Sequence, residues 1–401
     1  MQTFAEAGVS APVGAALTRQ QISTLNRVQS ESIPALLDGR DVVIQSPTGS
    51  GKTLAFLVPL LDRLERGKPG PQALIVTPTR ELAIQVQAVF QSLDSGWRTA
   101  LLYGGVGYHT QTAALKRGVD VVIGTPGRIL DMVSKRLVSL SRLEYLVLDE
   151  ADQMFDAGFA RDVEKIIGLT YSPQTVLASA TMPDWVSRMI AKHLQEPVFV
   201  KVVAEGPSLL EHGFVRTQRG AKLRVLSDIL RKQGTAIVFG RTKHGVQRLN
   251  RDLQRLGHRS VELQGNMAQS ARDRVMQSFR NERADVLVAT NVAARGLDVS
   301  HVDLVINYDL PDTADAMTHR IGRTARNGNS GRALTFITDE DHDNWAKLRR
   351  QGAPLLRTVD TSELTRDGAW SYVADPPQQS RPVQGGTISR TRKPTSQRRR
   401  R

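Results

Sequence analysis

A glycine-rich segment that could hold phosphate lies between an apolar run and a helical pattern. The run DVVIQS (41–46) leads into SPTGSGKT (46–53), and LAFLVPLL (54–61) follows. In that setting backbone N–H groups turn towards phosphate oxygens, a lysine adds a cation, and a hydroxyl can ligate Mg²⁺. Because Ser46 stands where the general pattern has glycine, a turn without a ligand is the alternative. The predicted phosphate site consists of Thr48, Gly49, Ser50, Gly51, Lys52 and Thr53, with Thr53 also a ligand of Mg²⁺.

Two carboxylates follow another apolar run and could carry out a hydrolysis. The run YLVLD (145–149) ends in Asp149, and Glu150 comes next. Open α/β sheets bind ligands at the carboxyl ends of their strands, where Asp149 could hold Mg²⁺ through water and Glu150 could deprotonate an attacking water. The alternative is that these acids only cap the following helix. A phosphate-binding sequence earlier on the same predicted sheet favours the catalytic interpretation.

The elements that would position these residues are short β-branched runs separated by segments of helical length. Buried strands joined by such connections are typical of parallel sheets with helices on both faces. The pattern occurs twice, so we predict two doubly wound α/β domains. The predicted strands are 41–46, 73–77, 120–124, 145–149 and 175–180 in the first domain, and 235–240, 260–264, 285–290, 303–307 and 332–338 in the second.

The domain boundaries are predicted from a pause in this pattern. Gly206 and Pro207 lie between the two complete patterns, which favours a flexible joint. A helix is expected near residues 344–350, and the last residues lack the apolar content to fold alone. The predicted division is a first domain at 1–204, a short flexible linker at 205–209, a second domain at 210–345, an extension at 346–376 and a disordered basic tail at 377–401.

The composition indicates the partner and the compartment. A net charge of +14 favours a polyanionic partner, with nucleic acid as the first candidate, although eight basic residues lie in the tail at 377–401. The absence of cysteine excludes disulfides and thiolate metal sites and fits a reducing compartment. No apolar run reaches the length of about 18 residues that a membrane span needs, and residues 1–10 do not resemble a signal peptide. We expect a soluble, cytoplasmic protein without a membrane partner.

A series of short motifs in one order resembles the DEAD-box ATP-dependent RNA helicases. That family has two tandem RecA-like domains, binds ATP with Mg²⁺ and acts on RNA, and the resemblance runs from Phe4 to about Thr338. The motifs are SPTGSGKT (46–53), PTREL (78–82), GG (104–105), TPGR (125–128), DEAD (149–152), SAT (179–181), IVFGRTK (237–243), QG (264–265) with Gln269 and Arg272, ATNVAARGLDV (289–299) and HRIGRTAR (319–326).

The resemblance implies how the base and the ribose of ATP are recognised. Gln29 corresponds to the residue that reads the adenine edge, and Phe4 upstream corresponds to an aromatic residue that stacks on the base. Residues 25–27 are Leu-Asn-Arg, where the family usually has Pro-Thr-Pro, and an ordinary surface glutamine is the alternative for Gln29. Asp298 corresponds to the residue that binds the ribose hydroxyls.

The resemblance also implies catalytic and coupling residues that lie outside the first nucleotide motif. Arg323 and Arg326 are similar to arginine fingers that neutralise charge on the transferring phosphate when the domains close. Ala325 replaces the glycine of the family motif and leaves the spacing of these arginines unchanged. The residues expected to couple the ATP site to the nucleic-acid face are Ser179, Thr181 and His319.

Further positions match family residues that contact the sugar–phosphate backbone of single-stranded RNA. Hydroxyls, glycine amides and arginines bind that backbone without reading bases, whereas helix capping and turn formation are the alternatives for the threonines and glycines. Asn291 replaces the usual aspartate and removes a charge, which puts the usual interdomain contact of that position in doubt. The matching positions are Thr79, Arg80, Gly105, Thr125, Arg128, Arg272 and Thr290.

The resemblance implies an RNA-dependent ATPase that unwinds short RNA duplexes locally and non-processively and remodels RNA–protein particles. An ATP-locked RNA clamp with little unwinding is the alternative, and a DNA translocase is disfavoured by the DEAD sequence and Gln29. The basic tail is interpreted as a nonspecific RNA tether, with a solubility tail as the alternative. The oligomeric state and the particular RNA are not indicated by the sequence.

Overall fold

The structure, a computed structural model, contains two seven-stranded sheets, each made wholly of parallel strands. This confirms the predicted pair of doubly wound domains. The predicted linker (205–209) and tail (377–401) lie outside the described part of the chain. No helix among the described residues is long and apolar enough to cross a membrane. The structure describes residues 2–47, 49–93, 96–202, 210–291, 302–325, 330–361 and 370–371.

The first sheet has the strand order β3-β4-β2-β5-β6-β1-β7. Its strands are β1 (Val42–Gln45), β2 (Ala73–Val76), β3 (Thr99–Leu102), β4 (Val121–Gly124), β5 (Tyr145–Asp149), β6 (Gln174–Ser179) and β7 (Val198–Lys201). Its helices are α1 (Ala11–Arg19), α2 (Arg27–Leu37), α3 (Lys52–Arg63), α4 (Arg80–Leu93), α5 (Tyr108–Lys116), α6 (Pro126–Ser134), α7 (Ala151–Asp156), α8 (Ala160–Ile167) and α9 (Asp184–His193).

The second sheet has the order β10-β11-β9-β12-β13-β8-β14. Its strands are β8 (Leu210–Arg216), β9 (Ala236–Gly240), β10 (Ser260–Leu263), β11 (Val286–Thr290), β12 (Leu304–Asn307), β13 (Gly331–Ile337) and β14 (Arg357–Thr358). The described α-helices are α10 (Lys222–Arg231), α11 (Lys243–Arg255), α12 (Gln269–Arg280), α13 (Ala314–Ile321) and α14 (His342–Arg350), and short 3₁₀ turns occur at Arg219–Ala221 and Asp339–Asp341.

Apolar residues cover both faces of the central strands. In β1, Val42 and Ile44 belong to one hydrophobic cluster of the first domain and Val43 belongs to the other. Successive side chains of a strand point to opposite faces, so a continuous apolar run fills both layers of helices at once. The polar residues of the functional motifs are thereby displaced to the strand ends.

The segment after α14 completes the second sheet. Its short strand β14 pairs with β8 opposite Gly213 and Phe214, and Val359 donates its N–H to the Phe214 carbonyl at 2.9 Å. A Cβ on Gly213 would lie 2.2 Å from Val359, so glycine permits this close approach. Trp370 is buried in the same cluster as Val359. The helix expected near residues 344–350 is present as α14, whereas β14 was not predicted.

A half-buried histidine is expected to make the stability of the second domain dependent on pH. In β8, His212 Nε2 lies 3.0 Å from Thr335 Oγ1, and burial lowers the pKa of His212 to about 4, against about 6.5 in an unfolded chain. Between these values the unfolded chain binds more protons, so stability that is complete above about pH 6.5 is lost as the pH falls towards about 4. We expect His212→Gln to flatten this part of the curve in denaturant unfolding, whereas the exposed control His342→Gln leaves it unchanged.

Candidate functional site

The glycine-rich segment forms a loop between β1 and α3. Gly51 has φ +89°, a left-handed conformation that favours glycine, and α3 begins at Lys52. Ser46 Oγ and Ser50 Oγ are 2.7 Å apart. The Lys52 ammonium donates to the Ser46 carbonyl at 2.6 Å and to the Pro47 carbonyl at 2.7 Å. The loop therefore closes around its own lysine at a helix N-terminus, where anions bind.

Charged groups of both domains act on the ammonium of Lys52. Burial lowers the pKa of Lys52, and the nearby Asp149 and Glu150 carboxylates oppose this effect. The positive charge of Arg323, which lies in the second domain, lowers it further. Arg323 is buried and its Nε donates to the His319 carbonyl at 3.1 Å. A cation of the second domain thus acts electrostatically on the lysine of the phosphate loop.

Hydrogen bonds from Asn26 and Gln29 join the phosphate loop to the start of α2. Asn26 caps α2 by accepting from the Gln29 N–H at 3.1 Å, and Gln29 Oε1 accepts in return from the Asn26 N–H at 3.0 Å. The same two side chains donate to the loop, Asn26 to the Ser50 carbonyl at 2.9 Å and Gln29 to the Gly51 carbonyl at 3.3 Å. Gln29 is therefore a buried residue beside the phosphate loop and not an ordinary surface glutamine.

Phe4 lies in the apolar core of the first domain, in the same cluster as Leu25 and Val28. The N-terminal segment reaches this place by a bridge between Thr3 and Thr24. Phe4 is thus close in the fold to the capping pair of α2, and its stacking on a base stays a prediction. Thr48, Asp298 and Arg326 lie outside the described residues, so their roles also stay predictions.

The two carboxylates lie at the carboxyl end of β5. Asp149 Oδ1 accepts from the Glu150 N–H at 3.0 Å, and Glu150 has a left-handed φ of 52°. Burial raises the pKa of Asp149 well above its usual range, helped by the Glu150 charge and opposed by Lys52. Glu150 Oε2 is buried and has no hydrogen-bond partner among the described residues. Buried acids of this kind suit a divalent cation, which would stabilise their charge.

Asp152, to which the sequence analysis assigned no separate role, joins the two domains. It accepts from the Thr181 N–H at 2.7 Å and from the Thr181 hydroxyl at 2.9 Å, and His319 Nε2 of the second domain lies 3.3 Å away. Ser179 Oγ donates to the Thr181 carbonyl at 2.7 Å. Burial alone would raise the pKa of Asp152, but His319 and Thr181 outweigh it and hold the pKa at about 2. Thr181 and His319 therefore converge on the Asp152 carboxylate, and Ser179 Oγ accepts from the backbone N–H of the same residue at 3.2 Å.

A second set of contacts crosses between the domains at the start of α4. Arg272 donates through Nε to Glu81 at 2.9 Å, and Arg80 donates through Nη1 to Gln269 Oε1. Arg272 is buried and also donates to the Gln264 carbonyl at 3.2 Å. Arg272 thus lies in an ion pair between the domains, which the sequence motifs did not indicate. Its contact with RNA stays a prediction.

The other predicted RNA contacts lie at strand ends and helix starts. Thr79 Oγ1 accepts from the Leu82 N–H at 3.2 Å at the beginning of α4. Thr125 is the N-cap residue of α6, without a side-chain capping bond, and Thr290 ends β11. Capping, the alternative considered for the threonines, is therefore observed at Thr79.

Gly105 permits the contact of Arg80 with the second domain. It has φ +84°, and a Cβ there would lie 2.8 Å from Arg80 Nη1, the atom that donates to Gln269. We expect Gly105→Ala to displace Arg80 and to weaken the RNA-stimulated ATP hydrolysis that the family resemblance implies about tenfold, the equivalent of about 1.4 kcal/mol. Gly104→Ala is the matched control, because nothing lies within 4 Å of its added Cβ. Equal activities of the two variants would contradict this expectation.

Comparison with known proteins places this geometry in a family. Residues 26–189 match the DEAD/DEAH box helicase model, and residues 221–328 match the helicase conserved C-terminal domain. The ATP-dependent RNA helicase CshA of Limosilactobacillus reuteri is 39% identical over 347 residues, which are 85% of this chain and 70% of that protein. The chain therefore belongs to the DEAD-box family of ATP-dependent RNA helicases.

Two solved structures resemble the whole two-domain arrangement. S. cerevisiae Dbp5 bound to RNA and ADP-BeF3 is 29% identical with a TM-score of 0.80, and the match covers 90% of this chain and 97% of that one. Mss116p bound to single-stranded RNA and AMP-PNP is 26% identical with a TM-score of 0.79, covering 88% and 77%. In both comparisons the similarity extends over the two domains together.

Proposed function

We propose that this chain couples RNA-stimulated ATP hydrolysis to the local, non-processive unwinding of short RNA duplexes and to the remodelling of RNA–protein particles. The observation that carries the proposal is that residues of the two domains meet at two places. His319 lies 3.3 Å from Asp152 beside the nucleotide site, and Arg272 pairs with Glu81 on the side of the predicted RNA contacts. Binding at either side therefore favours the same closed arrangement, which links the two ligands.

In the nucleotide site, the loop N–H groups and Lys52 hold the phosphates, and Gln29 and Asn26 keep the loop in register with α2. Glu150 orients the attacking water and takes its proton, and Arg323 stabilises charge that develops on the transferring phosphoryl group. Thr53 and Asp149 are the residues that would hold Mg²⁺. A bound Mg²⁺ would neutralise phosphate charge and stabilise the leaving group.

On the nucleic-acid side, Arg80, Gly105 and Arg128 contact the sugar–phosphate backbone of one strand. Such contacts give affinity with little dependence on sequence. Closure then holds one strand in a shape that a regular duplex does not fit, and the duplex opens locally. The similarity to structures solved with RNA and a nucleotide analogue supports this arrangement. A cytoplasmic location belongs to the same proposal and is supported by the absence of cysteine.

Strand release from RNA duplexes of increasing length tests this function. Local, non-processive unwinding predicts that the rate of ATP-dependent release falls steeply as the duplex lengthens. Release that is independent of length would contradict it. The lifetime of the ATP-bound RNA complex separates unwinding from a clamp, since slow dissociation with little strand release would favour the clamp.

A further inference from the structure

The loop between β3 and α5 carries Gly104 and Gly105 and ends at Tyr108, the first residue of α5. At Gly105 the loop lies against Arg80, since a Cβ added to Gly105 would be 2.8 Å from Arg80 Nη1. Its other side lies against α6, where Arg128 Nη2 donates to the Val106 carbonyl at 3.2 Å. Two arginines that match RNA-contacting positions therefore border one loop.

Arg128 is held in place by an aromatic ring. Its Cζ lies 4.5 Å from the centre of the Tyr108 ring, and its side chain is only 10% exposed. Its Nε lies 3.7 Å from Asp131 Oδ2. Nη1 is buried and has no hydrogen-bond partner among the described residues. The ring of Tyr108 is thus a main contact of the largely desolvated Arg128 guanidinium.

A second cation uses the same ring. Lys135 Nζ lies 3.7 Å from the Tyr108 ring centre and 2.9 Å from Asp131 Oδ1. Tyr108 itself is 43% exposed, although large aromatic side chains are mostly buried. A ring with two cations within about 6 Å of its centre gains cation–π energy from both. Tyr108 therefore organises a small positive surface beside the glycine loop.

We propose that Tyr108 is a positioning residue for RNA binding. Its ring fixes the Arg128 guanidinium, which in turn fixes the Val106 carbonyl and the orientation of the glycine loop. Lys135, aligned by the same ring, adds a further cation for the RNA backbone. This inference rests on the proposed function, because it assumes that Arg128 and Gly105 face RNA.

The chemistry of the contact determines which substitutions should matter. The cation–π contact with Arg128 needs the ring and not the hydroxyl, which interacts with Asp131 and Lys135, so Tyr108→Phe should keep Arg128 in place. Tyr108→Leu keeps an apolar side chain and removes the ring. Partly desolvated contacts of this kind are worth enough to change an affinity about threefold to tenfold.

The test measures ATP hydrolysis against the concentration of a homopolymeric single-stranded RNA. For Tyr108→Leu we expect the half-saturating RNA concentration to rise about threefold to tenfold, with unchanged hydrolysis without RNA and unchanged kcat at saturating RNA. The slope of the logarithm of RNA affinity against the logarithm of salt concentration should become shallower by about one, since one phosphate contact is lost. Tyr171→Leu is the control, because Tyr171 is an 85% exposed tyrosine that lines no predicted RNA contact.

A double-mutant cycle with Arg128→Gln distinguishes positioning from general stability. If Tyr108 acts through Arg128, the double variant should lose much less RNA affinity than the sum of the losses in the two single variants. Additive effects, or a Tyr108→Leu variant that binds like Tyr171→Leu, would overturn the inference. Failure of the proposed function has a different signature, since the natural protein would then hydrolyse ATP without any response to RNA.

Discussion

Glu150→Gln is expected to lower RNA-stimulated ATP hydrolysis between about a hundredfold and about ten thousandfold, the usual contribution of a general base. Glutamine has nearly the shape of glutamate but cannot take a proton from water. Glu150 is also one of the charges that raise the pKa of Asp149, so its neutralisation should leave Asp149 more readily ionised. We therefore expect ATP affinity in the presence of Mg²⁺ to be retained. Single-turnover hydrolysis and equilibrium ATP binding measure the two quantities separately.

Glu196→Gln is the matched control for this variant. Glu196 also lies in the first domain with a left-handed φ, 43°, but in the turn between α9 and β7. Loss of a glutamate in this backbone conformation should by itself leave hydrolysis unchanged. Full RNA-stimulated turnover by Glu150→Gln would remove Glu150 from the role of base. Loss of ATP binding together with turnover would assign it to binding instead.

Arg323→Ala should have an effect of similar size from the opposite domain. An arginine that stabilises the charge of a transferring phosphoryl group contributes about a thousandfold or more to kcat. Its charge already reaches Lys52 across the domain boundary. We expect kcat to fall about a thousandfold while ATP binding by the first domain changes little. Arg323→Lys should rescue only part of the rate, because an ammonium lacks the planar fork of guanidinium.

Two measurements keep the Arg323 result interpretable. Arg323 Nε donates to the His319 carbonyl, so thermal unfolding must show that the second domain of the variant still folds. Arg274→Ala, an exposed arginine of α12 in the same domain, controls for loss of positive charge. An Arg323→Ala variant that folds and hydrolyses ATP at the natural rate would exclude this arginine from catalysis.

Strands at the sheet centres were predictable, whereas several near the edges were not. All ten predicted strands are present, and the unpredicted ones are β3, β7, β8 and β14. Three of these form sheet edges, and β8 lies next to one. Edge strands are buried on fewer sides, as the alternating exposure in β3 and β7 shows. They therefore lack the continuous apolar run by which central parallel strands are recognised.

The structure also shows the physical consequence of one position at which the sequence differs from the family motif. Ala325, which takes the place of the usual glycine, has a left-handed φ of 54°. A Cβ makes this conformation costly by about 1 kcal/mol relative to glycine. The sequence identifies the substitution, but its strain depends on a backbone angle. Ala325 also packs closely against Gly331, where an added Cβ would lie 2.3 Å from the Ala325 nitrogen.

The sequence by itself determined the chemistry of the phosphate loop and of the acid pair. Asp149 ends β5 and Glu150 follows it, while Lys52 follows β1 after the phosphate loop. The direction of parallel strands carries such residues to one sheet edge. Their grouping therefore needs only local pattern and chain direction.

Only the tertiary structure decided how the two domains are joined. Asp152 with His319 and Glu81 with Arg272 are separated by more than a hundred residues along the chain. No local pattern encodes such pairs, because a charged residue in a helix or loop has the same sequence signature whether it faces water or another domain. The way the two domains meet selects the partner, and that selection turns separate motifs into one site.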